Sequence, residues 1–240
     1  MKIHTFDTET ETARAVTHQL LKQLNTVRQD TFNLAISGGH TSEALFRLWA
    51  GIYSRNLPWQ RVHLYWVDER CVAPTDGNSN YGMAKRLFLD KIQLPREQIH
   101  RIMGEANPEY EARRYSELVQ KNLPDQDGFP RFDMLILGMG TDGHTASIFP
   151  EQKYLLNFPH PYAPSFQPDT VQRRITITGQ PILRAALTLY QIVGAEKAEM
   201  LARILYAHTG AEEYPTGYIA QNADRIEFFI DSAAAQKLHF

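Results

Sequence analysis

The sequence predicts an α/β fold, a mainly parallel sheet with helices on both faces. Three observations carry this reading. Short apolar runs rich in β-branched and aliphatic residues recur along the chain. Longer stretches with helical spacing separate them. The runs are nearly continuously apolar rather than alternating, as strands buried on both faces require.

In chain order, Thr12 to Arg28 reads as a helix with Ala15, Val16, Leu20, Leu24 and Val27 on one side. Phe32 to Ile36 and Val62 to Val67 read as strands. Asn107 caps a helix that has Pro108 at its first position and continues to about Lys121. Phe132 to Leu137 is the next strand. Residues 157 to 171 contain four prolines and read as an extended surface connection, a candidate flap. Arg173 to Thr178 alternates strictly, which predicts a strand with one face exposed or lining a cleft. Ala186 to Val193 is a strand whose early residues merge with the preceding helical pattern. Ala195 to Ala207 is a helix with Ala198, Leu201, Ala202 and Leu205 on one face. Residues 1 to 240 are read as one α/β domain with an excursion at 157 to 171.

Composition narrows the function. A net charge of -2 gives no electrostatic reason to expect nucleic acid or an acidic membrane as partner. The single cysteine, Cys71, allows no intramolecular disulfide, which suits a reducing compartment. No apolar stretch approaches the roughly 18 residues of a membrane span, and the first residues lack the apolar core of a signal peptide. A soluble cytoplasmic protein is expected, as a monomer or weak homo-oligomer.

Ligands of open parallel sheets bind beyond the carboxyl ends of the strands. Three such ends carry unusual residues. The first is Ser37-Gly38-Gly39-His40-Thr41, whose glycines permit a sharp turn and whose N–H groups at a helix start suit a phosphate. It lacks the Gly-Lys-Ser/Thr ending of a nucleoside-triphosphate loop. The second is Asp68-Glu69-Arg70, able to orient a sugar hydroxyl, a water or a phosphate. The third is Gly138-Met139-Gly140-Thr141-Asp142-Gly143-His144-Thr145. Its Gly-x-Gly-x-x-Gly spacing resembles a dinucleotide loop, but Pro150 cuts short the long helix that such a fold needs next. A catalytic loop presenting Asp142 and His144 fits better, because histidine exchanges a proton near neutral pH. Arg174 and Lys197 follow later. A lysine at a helix start opposes the helix dipole, which a shared anion would explain. The histidines are scattered without metal-site spacing, there is no Gly-x-Ser-x-Gly elbow, and Cys71 reads as a packed residue rather than a nucleophile.

Together, Ser37-Gly38-Gly39-x-Thr41, Asp68-Glu69-Arg70 and Gly138-Met139-Gly140-x-Asp142-Gly143-His144-Thr145-Ala146-Ser147-Ile148-Phe149-Pro150 resemble the signatures of the 6-phosphogluconolactonases. Arg174-Ile-Thr-Ile-Thr and Gly194-x-x-Lys197 extend the likeness. The resemblance implies a Rossmann-like fold and hydrolysis of 6-phospho-D-glucono-1,5-lactone to 6-phosphogluconate in the oxidative pentose phosphate pathway, with no metal or organic cofactor. On that basis His144 is expected as general base, with Asp142 or Asp68 orienting the imidazole or the water. Arg70 and loop amides would stabilise the oxyanion. Ser37, Gly38, Gly39, Thr41, Arg174 and Lys197 would hold the phosphate, and Gly140 joins the substrate-binding set. The related glucosamine-6-phosphate deaminases are the alternative. They typically read Asp-Glu-Tyr at the second motif and Ile-Ala-Phe-Asn-Glu-Pro after the histidine. A non-catalytic sugar-phosphate sensor is a further alternative, although the chain shows no basic region for nucleic acid.

Overall fold

The computed structural model describes residues 1–170, 172–206 and 210–238. In chain order the first part forms β1 (Lys2–Phe6), α1 (Glu9–Thr26), β2 (Phe32–Ile36), α2 (His40–Ala50), β3 (Val62–Trp66), β4 (Asp68–Arg70), α3 (Asn80–Leu87) and β5 (Ile99–His100). The middle forms α4 (Pro108–Asn122), a small hairpin of β6 (Asp125–Gln126) and β7 (Phe129–Pro130), and then β8 (Met134–Leu137). The last part forms β9 (Tyr162–Phe166), β10 (Arg173–Ile177), α5 (Gly179–Leu183), β11 (Thr188–Ile192), α6 (Ala198–Tyr206), α7 (Pro215–Asn222), β12 (Ile226–Asp231) and α8 (Ser232–Ala235).

Seven strands make one sheet in the order β1-β12-β11-β8-β2-β3-β5. Every neighbouring pair is parallel, and helices flank the sheet as expected. From β2 the chain steps outward through β3 to β5. It then returns to the other side of β2 as β8 and steps outward again through β11 and β12. The strand order therefore reverses between β2 and β8, which is where such sheets open a crevice for ligands. Ile36 lies opposite both Trp66 and Ile136, so three of the central strands end side by side.

Local chemistry explains the helix boundaries. Thr8 caps α1 by accepting the Glu11 N–H at 3.2 Å, and Glu9 and Glu11 complement the helix dipole. The helix buries Ala13, Val16, Leu20 and Leu24. Asn107 caps α4 as anticipated, its Oδ1 accepting the Tyr110 N–H at 3.0 Å. The helix expected over Ala195 to Ala207 begins as a 3₁₀ turn at Ala195–Lys197 and continues as α6. Ala207 lies outside the described residues. No helix among the described residues is long and apolar enough to cross a membrane.

Two expectations change and one open alternative is resolved. Asp68-Glu69-Arg70, expected only as the end of the preceding strand, is a strand of its own, pairing antiparallel with β10 in a second sheet of order β4-β10-β9. Residues 157 to 171 are not purely a surface connection. Tyr162, Ala163 and Ser165 are buried in β9, and the Tyr162 hydroxyl donates to the Trp66 carbonyl at 2.8 Å. Val171 lies outside the described residues. Finally, β10 is the middle strand of its sheet and exposes neither face beyond Arg173. Of the two options for that strand the cleft-lining one holds: Thr176 Oγ1 accepts the Ser147 N–H at 3.0 Å, and Arg174 lines a cleft.

Phe46, Trp49, Trp59 and Phe88 form an aromatic cluster, with Phe88 centred 4.7 Å from Phe46 and 5.3 Å from Trp49. Phe88→Ala should destabilise the fold by roughly 3–5 kcal/mol, measured by urea unfolding. A second feature is a histidine pair. His63 Nδ1 lies 3.1 Å from His100 Nε2, and His100 stacks on Tyr65. Burial, and then the neighbouring His63, push His100 down to about 4. The unfolded chain therefore binds a proton below about pH 6.5 that the folded ring refuses until about pH 4. Stability from this site is whole above that window and falls as pH is lowered through it, by about 1–2 kcal/mol after solvent screening. His100→Asn should flatten the wild-type stability–pH curve between these values.

Candidate active site

The loops beyond β2 and β8 flank the topological switch, and their local structures differ. After β2, the Ser42 hydroxyl donates to the carbonyls of Ser37 at 3.0 Å and Gly38 at 3.2 Å, which folds the chain directly into α2. The N–H groups of Gly38 and Gly39 have no acceptor among the described residues. They are free for an anion at the start of a helix.

After β8, the loop closes on itself. Gly140 N–H donates to the His144 carbonyl at 2.9 Å, Gly143 N–H donates to the Gly140 carbonyl at 3.1 Å, and the Thr145 hydroxyl donates to the Gly138 carbonyl at 3.0 Å. This brings His144 Nδ1 to 2.6 Å from Asp142 Oδ1. Burial alone would push the Asp142 carboxyl up. The hydrogen bond and charge of His144 outweigh burial and hold it below the usual range. Gly140 lies directly beneath this pair, where an added β-carbon would come within 2.1 Å of His144 Nδ1 and 2.3 Å of Asp142 Oδ1. Its N–H is spent on loop closure, so Gly140 contributes close backbone approach rather than a free amide. The imidazole is backed by the Phe149 ring, with centroids 4.6 Å apart. From α7, the Thr216 N–H donates to the Gly143 carbonyl at 3.0 Å and fastens the loop from outside.

Strand β4 supplies the floor. Asp68 is buried, with Oδ2 accepting from the Ser147 hydroxyl at 2.6 Å and Oδ1 from Asn80 Nδ2 at 3.2 Å. The side chain of Glu69 points away from the cleft. It accepts the N–H groups of Arg70, Asn80 and Tyr81 at 2.8, 2.7 and 2.8 Å and the Ser79 hydroxyl at 3.0 Å. Burial pushes its carboxyl up, and these four donors oppose that. Arg70 donates to the Asn78 carbonyl at 2.6 Å. Burial pushes the neighbouring Cys71 thiol up to about 11, which disfavours the nucleophilic thiolate.

The cleft at this edge has a volume of about 170 Å³. Ser37, Gly38, Gly39, Thr41, Asp68, Arg70, Gly140, His144, Arg174 and Lys197 all line it. Of the expected site residues only Asp142 stands outside, behind the imidazole it supports. The geometry thus separates the two aspartates: Asp142 touches His144, and Asp68 faces the cleft on its own. Arg174 Nη1 lies 3.4 Å from Ser147 Oγ and 3.8 Å from Asp68 Oδ2. Four buried polar atoms here have no partner among the described residues: Ser37 Oγ, Arg70 Nε, Asn80 Oδ1 and Arg174 Nε. The Lys197 ammonium makes no hydrogen bond or ion pair among the described residues, while its backbone N–H donates to the Gly194 carbonyl at 3.1 Å. No group of three or more potential metal-ligating side chains occurs among the described residues.

Two lining residues escaped the sequence reading. Asn80 was hidden ten residues beyond the second motif, although Ser79-Asn80 after a loop signals a helix cap. Gln191, whose Nε2 donates to the Thr41 carbonyl at 3.2 Å, looked like an ordinary strand residue. Ser147 lay within the third motif but had no assigned role.

A family model for glucosamine-6-phosphate isomerases/6-phosphogluconolactonase matches residues 7–228. A 6-phosphogluconolactonase of Treponema pallidum is 38% identical over 206 residues, covering 85% of this chain and 84% of the relative. One from Haemophilus influenzae is 36% identical over 209 residues, covering 86% and 87%. The crystal structure of a devB protein superposes with a TM-score of 0.93 at 33% identity, over 99% of both chains. The chain therefore belongs to the glucosamine-6-phosphate isomerase/6-phosphogluconolactonase family.

Proposed function

We propose that this chain hydrolyses 6-phospho-D-glucono-1,5-lactone to 6-phospho-D-gluconate, as the names of its relatives suggest. The observation that carries the reading is the carboxylate-backed imidazole of His144 at one wall of a cleft whose other wall is an anion-binding turn. A lactone is an activated ester, so water suffices as nucleophile once a base takes its proton. His144 Nε2 removes that proton as the water oxygen bonds to C1. Asp142 holds the ring through Nδ1 and stabilises the imidazolium that forms. The charge that develops on the C1 oxygen meets Arg70 and free loop amides. As the tetrahedral intermediate collapses, the bond from C1 to the ring oxygen breaks. His144 returns its proton to that oxygen, leaving the open-chain acid.

The phosphate is held by the Ser37–Thr41 turn, with Arg174 and Lys197 supplying charge-assisted bonds. Asp68 accepts a hydrogen bond from a sugar hydroxyl, since each of its oxygens retains a lone pair. The deaminase alternative is disfavoured by the stretch from Thr145 to Pro150, which offers no carboxylate beside the histidine. The whole chain serves as one catalytic unit of the cytoplasm in this reading.

The deciding experiment follows freshly generated 6-phosphogluconolactone against its spontaneous opening, beside an assay for ammonia release from glucosamine 6-phosphate. Accelerated opening without ammonia supports the reading, and the reverse pattern overturns it. His144→Ala should lower kcat by roughly 10²- to 10⁴-fold with a smaller effect on KM. Arg174→Ala should chiefly raise KM. A collapse of kcat at unchanged KM would move Arg174 from phosphate binding to the chemical step.

A further inference from the structure

Glu69, Ser79 and Asn80 form a unit that the lactonase chemistry does not use directly. Glu69 accepts the first two helical N–H groups of α3, those of Asn80 and Tyr81, together with the Ser79 hydroxyl. This pins the start of α3 onto β4. As a result Asn80, 2% exposed, is driven in between two walls of the cleft. Its Nδ2 donates to Asp68 twice, to the carbonyl at 2.9 Å and to Oδ1 at 3.2 Å. Both partners are acceptors, so the orientation of the amide is determined by the network. Its Oδ1 has no hydrogen-bond donor among the described residues. It lies against the α-carbon of Gly38, where an added β-carbon would come within 2.0 Å.

We propose that Asn80 is a positioning residue, a clasp that fixes the Asp68 carboxylate relative to the Gly38 turn. The idea rests on the lactonase reading and deepens it. If Asp68 takes a sugar hydroxyl and the turn takes the phosphate, their separation sets where C1 sits relative to His144. Buried polar networks of this kind lose much of their value when one donor is removed. A neutral amide is also the right chemistry. It gives Asp68 a donor without adding charge, while Ser147 supplies the second donor at Oδ2.

Asn80→Asp tests this, because it keeps the shape but replaces a donor with an acid. Two carboxylates at this distance cannot both ionise readily and tend to share a proton. The charged groups facing the new acid would be Asp68, with Arg174 behind it at 3.8 Å, and Glu69 beneath α3. With the acid ionised, Asp68 is repelled from its position. With the acid protonated, an O–H again donates to Asp68. The readout is kcat/KM of the variant divided by that of wild type, which cancels any pH dependence common to both.

The ratio should fall at least tenfold at pH 7.5 and recover several-fold by pH 5.5, whereas Asn80→Ala should give a low ratio independent of pH. Gly38→Ala should cost more activity in wild type than in the Asn80→Ala background, where the amide atoms at 2.0 and 2.3 Å are gone and only the β-carbon at 2.8 Å remains. Circular dichroism checks that each variant is folded, and the Gly38 cycle tests the clasp should Asn80→Asp fail that check. A wild-type enzyme that does not accelerate lactone opening overturns the underlying function, and the clasp's role with it. An active wild type with a pH-independent Asn80→Asp ratio, or additive Gly38 and Asn80 effects, overturns the clasp alone.

Discussion

The parallel pairing of β2 with β3 on one side and β8 on the other is the constraint on which the rest depends. Because Ile36 is opposite Trp66 and Ile136 at once, the chain leaves all three strands at the same level. The ladder continues one step past each strand, through Ser37 N–H to the Ile136 carbonyl and Val67 N–H to the Ile36 carbonyl, both at 3.0 Å. Three segments far apart in sequence are thereby delivered to one edge within hydrogen-bonding distance of each other. A one-step slip in a buried parallel strand would turn its side chains to the opposite face, so the core that fixes the register also fixes the site.

The central strands were legible because they are apolar on both faces, and their loops were legible because glycine, aspartate and histidine at strand ends are chemically unusual. The outer strands were not. β1, reading Lys-Ile-His-Thr-Phe, is half polar, and Glu227 interrupts β12. Their polar residues are satisfied by each other, His4 meeting Glu227 at 3.0 Å, which no local pattern announces. β4 was not legible as a strand, being three residues long and carrying two acids. Three of the four donors to Glu69 come from ten to twelve residues downstream and became visible only once α3 was folded against it. The prolines near residue 160 likewise concealed β9, since an edge strand tolerates proline on its unpaired side.

Charge in the site is arranged asymmetrically. Its carboxylates are provided for within the protein: Asp142 by His144, Asp68 by Ser147 and Asn80, Glu69 by four donors. Its cations are less so, with the Lys197 ammonium unpaired and the Nε atoms of Arg70 and Arg174 lacking acceptors among the described residues. A cleft with settled anions and unsettled cations is set up to receive negative charge. Receiving it would supply the acceptors these buried donors lack, and much of their desolvation cost would be recovered only on binding.

The base and the group that supports it are two residues apart on one self-closed loop, whereas the groups that would hold the ligand come from five different elements. The consequence is a division between what motion can and cannot alter. Relative movement of β4, β10 and the helices changes how the ligand is presented. The Asp142–His144 hydrogen bond is instead contained within one loop closed by its own hydrogen bonds. Reactivity is local, while reach is distributed. Relatives could therefore vary the surrounding elements, and with them the bound sugar, without rebuilding the proton-transfer pair.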